Sequence, residues 1–346
     1  MNILIICDIP WFSGLSHYAI EVGEYFLKEG STVYWATETD SDLWKKLEGN
    51  KFKLIPIKSR KSKHFFYNLR TLKKSLKEID KILCFTGSSL TLGYFLKKRF
   101  KSELFRFRTE AFGVKNNFFN RLIYKRCNGV IAGNKKIRDE LRTLGIEKIN
   151  VIYAGVDLSD FPGMPLPDEL TIGYLGRLDH VKGIEILWDA MNLIWNQFPD
   201  LKLNIAGREV NYKWSEIASR FNGPVKYWGY LNRKEVKQFI KASSFGIITS
   251  TGSEATSRVL LEWWASGRPV ISTSVGIFPE LIENNTNSII INPNDSKSLT
   301  AEIIKFLENE KNIEKLGNSA REKIEKELSK EIFNKELSLI FSKKTE

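Results

Sequence analysis

The chain has 346 residues, more than one hydrophobic core ordinarily serves, so two α/β domains of ordinary size are expected. A composition of 42% hydrophobic, 12% aromatic and 27% charged residues is globular, and no run of about 18 apolar residues offers a conventional membrane-spanning helix. The net charge of +12 belongs entirely to residues 1–160, which hold 29 Lys and Arg against 17 Asp and Glu, whereas residues 161–346 hold 24 of each.

The chain opens on an apolar strand, Met1 to Asp8. It has no basic leader, and an acidic residue stands where a signal peptide's small-residue cleavage region should follow, which reads as a mature cytosolic protein. Cys7, Cys84 and Cys127 are widely separated, two of them in apolar runs, as expected of buried free thiols in a reducing compartment. Apolar runs near 2–8, 31–37, 51–57, 81–87, 104–110, 129–134 and 149–154 alternate with amphipathic stretches, the pattern of a parallel doubly wound sheet. Residues 1–156 form the predicted first domain. The segment 157–168 carries Pro162, Gly163, Pro165 and Pro167, which breaks the rhythm and predicts a linker.

A second alternation predicts strands near 171–175, 201–206, 225–229, 245–250, 269–273 and 288–291, with helices near 183–198, 232–242 and 254–266. The second domain is thus placed at 169–325, followed by a helical segment over 326–346. Open α/β sheets bind ligands beyond their strand C-termini, so the active site is expected in a cleft between the two domains.

The strongest chemical signal runs from Ser253 to Pro269 and includes Glu254, Thr256, Ser257, Arg258 and Glu262. It follows an apolar strand and leads into a helix that stops at Gly267. The two glutamates, eight residues apart, would lie about 12 Å apart along a helix axis, a separation suited to the two ends of an extended ligand. Unpaired N–H groups at the helix start favour a diphosphate, and the carboxylates could accept bonds from sugar and ribose hydroxyls. The bland alternative is one capping and one solvated glutamate. A second segment, Ile172 to Gly183, places Arg177 and Lys182 around a glycine-bounded loop from which both could converge on two phosphates, with His180 between them as an exposed loop histidine. In the first half, Phe12 to His17 joins the first strand to the first helix. Gly14 there permits close backbone approach, His17 is a ligand candidate, and Ser16 reads either as a ligand contact or as an N-cap. No Gly-x-Gly-x-x-Gly occurs, which argues against a dinucleotide oxidoreductase.

The segment from Glu254 to Pro269 resembles the signature of retaining glycosyltransferase family 4: a Glu, seven residues, a second Glu, and an apolar small-residue helix ending Gly-x-Pro. Similar pieces occur at Val151 to Asp157, Ile172 to Gly183 and Gly276 to Leu281, so the resemblance spans roughly residues 150–292, with Glu280 read as fixing a helix start. It implies the GT-B architecture, two Rossmann-like doubly wound domains facing a central cleft, with a C-terminal helix crossing back to the first domain. It also implies transfer from a nucleoside-diphosphate sugar with retention at the anomeric carbon. Glu254, Arg177 and Lys182 would be catalytic, and Glu262, Gly14, Thr256, Ser257 and Arg258 would bind donor. Where the family often has Gly and Ala after the two glutamates, this chain has Ala255 and Trp263, which implies a donor pocket of different shape. Many members carry a histidine after the strand at 104–110. Here Arg106-Phe107-Arg108-Thr109-Glu110 stands instead, leaving His17, Arg108 and Glu110 as acceptor-side candidates, with Glu110 either touching acceptor or pairing with Arg108.

No metal or other cofactor is expected, since fixed cations and a helix N-terminus supply positive charge. Asp40-Ser41-Asp42, the Asp-x-Asp of this chain, is read as a loop or helix cap. The basic clusters at 58–67 and 97–101, interleaved with aromatics, suit a solvated face, an anionic membrane or lipid-linked acceptor, or, least favoured, nucleic acid. The expected partners are therefore a nucleotide-sugar donor and a glycan, lipid-linked or other hydroxyl acceptor, for an enzyme in the cytoplasm or peripheral at the inner membrane face. The rival readings are a GT-B sugar-nucleotide epimerase or hydrolase, and a basic non-enzymatic scaffold.

Overall fold

Strands buried on both faces must be nearly continuous in apolar residues, and Ile3–Ile6, wholly inaccessible to solvent, show why the first sheet forms where it does. The computed structural model describes residues 1–110, 113–252 and 254–342. Its first unit comprises residues 1–154 and 334–346, and its second Gly155–Phe333.

In the first unit the order is β1 (Asn2–Ile6), α1 (Gly14–Lys28), β2 (Thr32–Glu38), α2 (Asp42–Leu47), β3 (Lys53–Ile57), α3 (Phe65–Ser75), β4 (Lys81–Cys84), α4 (Gly87–Phe100), β5 (Glu103–Arg108), α5 (Phe118–Lys125), β6 (Gly129–Ala132), α6 (Lys135–Thr143) and β7 (Ile149–Val151). The strands form one parallel sheet, β3-β2-β1-β4-β5-β6-β7, in which Ile3 is registered with Val33 on one side and Lys81 on the other. The three cysteines are buried and unbridged. The Asp-x-Asp pair flanks a cap: Asp40 takes a left-handed conformation, Ser41 accepts the Trp44 N–H at 3.0 Å, and Asp42 opens α2.

The second unit runs through β8 (Thr171–Leu175), α7 (Ile184–Trp195), β9 (Lys202–Ala206), α8 (Trp214–Ile217), β10 (Val225–Tyr227), α9 (Arg233–Lys241), β11 (Phe245–Ile248), α10 (Arg258–Ala265), β12 (Val270–Thr273), α11 (Phe278–Leu281), β13 (Ile289–Ile291), α12 (Ser296–Glu308) and α13 (Glu310–Lys323). Its parallel sheet is ordered β10-β9-β8-β11-β12-β13. Residues 157–168, read from their prolines as a linker, fall inside this unit and are tied to it. Buried Arg268 donates to the Met164 and Pro165 carbonyls as well as to Ser243, and Arg321 donates to the Phe161 carbonyl.

The helix α14 (Lys330–Phe341) begins in the second unit and ends in the first, where Phe341 meets Phe26, Phe105 and Phe107 at ring separations of 5.0, 4.8 and 6.2 Å. Phe341 thus completes the first unit's core from the far end of the chain. Phe341→Ala removes a buried aromatic and should cost about 3 kcal/mol. The urea midpoint should fall with its slope unchanged, whereas an unchanged midpoint would mean that α14 adds nothing to that core.

Candidate active site

In the second sheet the strand order reverses between β8 and β11, so the loops leaving their C-terminal ends diverge and open a crevice at this switch point. The first loop carries Arg177 and Lys182. Its shape is fixed from below by Tyr174, whose hydroxyl donates to the Arg177 and Lys182 carbonyls, both at 3.2 Å. Asp179, almost wholly buried, accepts the Lys182 N–H and the Arg177 guanidinium, each at 2.7 Å. Gly183 is left-handed, and a Cβ there would lie 2.1 Å from the Thr249 carbonyl, so only glycine lets the two loops approach this closely.

The second loop carries Glu254. Its carboxylate pairs with the Lys182 ammonium and accepts the Ser250 hydroxyl at 2.6 Å. Its carbonyl accepts the Ile277 N–H at 2.8 Å, and left-handed Gly276 packs so tightly that a Cβ would lie 2.1 Å from that carbonyl. The helix expected from 254 starts instead at Arg258: Glu254 lies in the preceding loop, and Ser257, the N-cap, is itself in a positive-φ conformation that interrupts any earlier turn. The two glutamates therefore do not share a helix, and the separation of about 12 Å drawn from helical rise does not apply. Ser253, the first residue of the motif, lies outside the described residues.

Thr256 and Ser257 are buried at the start of α10, and the side chain of the N-cap residue Ser257 makes no capping bond to the helix N–H groups. Arg258 and Glu262, four residues apart, lie 3.4 Å from each other. Burial raises the Glu262 carboxyl above its ordinary value, against the pull of Arg258 and Arg233. Trp263 is wholly buried, with its ring against Gly173 of β8 and Gly246 of β11, where a Cβ would lie 2.5 and 2.6 Å from the indole. Its bulk is absorbed by two strand glycines. His180 is exposed and packs edge-on to Tyr212 at 4.7 Å, and Glu280 lies in the first turn of α11.

The first unit holds the remaining candidates. Gly14 is the first residue of α1 and exposed, while His17 is half-buried and lies 3.4 Å from Glu21. The N-cap is Ser13, not Ser16. Ser16 is its reciprocal partner, accepting the Ser13 N–H at 2.7 Å. At the end of β5, one oxygen of Glu110 takes both Arg106 and Arg108. Arg106, which the sequence offered no role, is almost wholly buried and also donates to the Cys84 carbonyl at 3.2 Å. Burial would push the Glu110 carboxyl up, but the two guanidinium groups outweigh it and hold it below its ordinary value. Another residue that sequence reasoning passed over is Asp8, buried just beyond β1 where the first sheet's order reverses and bonded by Thr86 and Ser88. Burial raises its carboxyl.

Two parallel doubly wound sheets, the second with cations, a carboxylate and a helix start gathered at its switch point, define the GT-B class of scaffold. Residues 12–160 match the family model Glycosyltransferase Family 4 and residues 160–323 the model Glycosyl transferases group 1, and the chain belongs to this glycosyltransferase family. It is 22% identical over 211 residues to the glycogen synthase of Mycobacterium tuberculosis, covering 58% of this chain and 51% of that protein. It is 25% identical over 179 residues to the phosphatidyl-myo-inositol mannosyltransferase of Mycolicibacterium smegmatis, covering 50% and 46%. The chain thus spans about half the length of the curated relatives it matches. In fold it is similar to HepE from Anabaena, solved in complex with UDP, with a TM-score of 0.86 at 18% identity over 99% of this chain and 100% of that one.

Glu110→Gln would leave Arg106 buried beside a neutral group and should cost about 3 kcal/mol near neutral pH. The Glu110 carboxyl lies lower in the folded than in the unfolded chain. Its stabilisation is therefore full above the ordinary value of 4.5 and lost as pH falls through the lowered one. Urea titrations of both proteins should converge on acidification below that value; a gap independent of pH would show that the charge of Glu110 is immaterial.

Proposed function

We propose that the chain transfers a sugar from a nucleoside-diphosphate sugar to a hydroxyl acceptor, with retention at the anomeric carbon and without a divalent metal. The observation that carries this reading is the pairing of Lys182 with Glu254 at the switch point of the second sheet, with Arg177 held in the same loop by Asp179 and the start of α10 following Glu254. Family membership and the UDP bound by the structurally similar HepE make a uridine donor the first to test.

Without donor, Lys182 and Glu254 neutralise each other. A bound donor would exchange that contact for two better matched ones, Lys182 with Arg177 on the diphosphate and Glu254 on the sugar hydroxyls. As the glycosidic bond breaks, negative charge grows on the leaving diphosphate and oxocarbenium character on the sugar. Two cations and the N–H groups near Thr256, Ser257 and Arg258 stabilise the former more in the transition state than in the ground state. No covalent nucleophile is required. Glu262 holds the ribose, with Arg258 favouring its charged form against burial. Gly14 stays a donor-binding residue of this reading, and His17, Arg108 and Glu110 serve the acceptor. Of these, Glu110 is a carboxylate positioned by two arginines, a fixed acceptor for a hydroxyl proton bond. The basic excess of residues 1–160 favours a lipid-linked acceptor at an anionic membrane, at the inner face, over a freely diffusing one.

Glu254→Ala should lower turnover by about a hundredfold or more while nucleoside diphosphate still binds. Glu262→Ala should weaken nucleotide binding by about tenfold. Transfer should persist in excess chelator and in the Asp40→Asn/Asp42→Asn variant. Unaltered kinetics in both glutamate variants would remove the assignment; loss of activity to chelator, restored by magnesium, would refute metal independence; and donor turnover without any acceptor would point to an epimerase or hydrolase.

A further inference from the structure

We infer that the helical face formed by α3, α4 and α5 docks on an anionic lipid bilayer. None of these helices carries a residue assigned above to the donor or the acceptor, and the inference holds whatever sugar is moved. Right-handed crossovers put these helices on the side of the first sheet opposite α1, with α3 packed on α4 and α4 on α5.

The four exposed phenylalanines among the described residues all lie here: Phe66 (79% exposed) on α3, Phe95 (41%) on α4, and Phe118 (82%) and Phe119 (48%) on α5. The α3 and α4 aromatics are joined by Phe65, whose ring stands edge-on to Phe66 at 5.4 Å and to Phe95 at 5.6 Å. A face in contact only with water gains nothing from such rings; one that enters the headgroup region buries them.

Charge selects the partner. The three helices carry Arg70, Lys73 and Lys74, then Lys97, Lys98 and Arg99, then Arg121 and Lys125, and not one acidic side chain. A merely solvated face mixes both signs. Around Phe66 a shallow depression of about 390 Å³ is lined also by Leu69, Arg70, Lys73 and Lys74, an apolar floor beneath three cations that fits a lipid phosphate above the start of its acyl chains. Just before α3, Lys58 lies 4.2 Å from the centre of the Tyr67 ring, which extends the same pairing of cation and aromatic. Lys97 is occupied by the Arg126 carbonyl and Asn128, so Lys98 and Arg99 are the contributors from α4.

Flotation tests this with the full chain and no donor present, so its outcome is independent of the catalytic reading. Vesicles of phosphatidylcholine alone are compared with vesicles containing equal parts phosphatidylglycerol. The protein should float with the anionic vesicles only, and recovery should fall as salt rises. Arg70→Gln/Lys73→Gln/Lys74→Gln should weaken anionic binding by roughly a hundredfold. Phe66→Ser/Phe118→Ser should abolish the fraction that resists salt, and both variants should keep the parent's unfolding midpoint. Equal recovery on both vesicle types would overturn the proposal without recourse to any variant. So would anionic binding insensitive to both variants, or binding to duplex RNA that anionic vesicles do not displace.

Discussion

The contact between Lys182 and Glu254 is the constraint around which the second unit is arranged. It joins the loop leaving β8 to the loop leaving β11 at the point where the sheet's winding reverses, and each partner is fixed by its own set of buried groups. On the lysine side these are Tyr174 and Asp179; on the glutamate side, Ser250 and the glycine at 276. A charged pair at such a place costs desolvation that the Coulomb attraction only partly returns, so it contributes little to stability. In the proposed reading its value is positional: one cation and one carboxylate are held where a ligand with a phosphate end and a hydroxyl end would separate them.

Much of this was legible in the sequence, and the reasons are physical. Strands buried on both faces leave unbroken apolar runs, and all the runs read as strands are strands. Arg177 and Lys182 stood out as cations of a glycine-bounded loop at a strand end, and Glu254 and Glu262 as a pair eight residues apart following a strand. The misread start of α10 has a specific origin. Glu254 to Ser257 has acceptable helix propensity, and what prevents a helix there is the tertiary grip of Gly276 and Ile277 on the Glu254 backbone, twenty-odd residues away in sequence. In the same way the sequence could not distinguish Ser13 from Ser16 as the N-cap, since both take part in one reciprocal pair.

The packing of Trp263 was not legible in the sequence for a related reason. Its neighbours in sequence are Glu262 and Trp264, while its neighbours in space include two strand glycines that leave room for an indole. A large residue and the glycines that accommodate it form one packing unit, recognisable only when helix and strands are superimposed. Arg106, Asp8 and Asp179 were passed over because buried charges betray themselves by their partners, and those partners are set by the fold.

The central claim is that the switch-point cations of the second unit bind a diphosphate. Calorimetric titration with UDP and with uridine tests it most directly, in the parent chain and in an Arg177→Ala/Lys182→Ala variant. The account predicts one UDP site per chain, affinity for UDP at least about a hundredfold weaker in the variant, as expected for the loss of two charge-assisted contacts, and little change for uridine. Equal binding of UDP by parent and variant, or equal affinity of the parent for UDP and uridine, would contradict it.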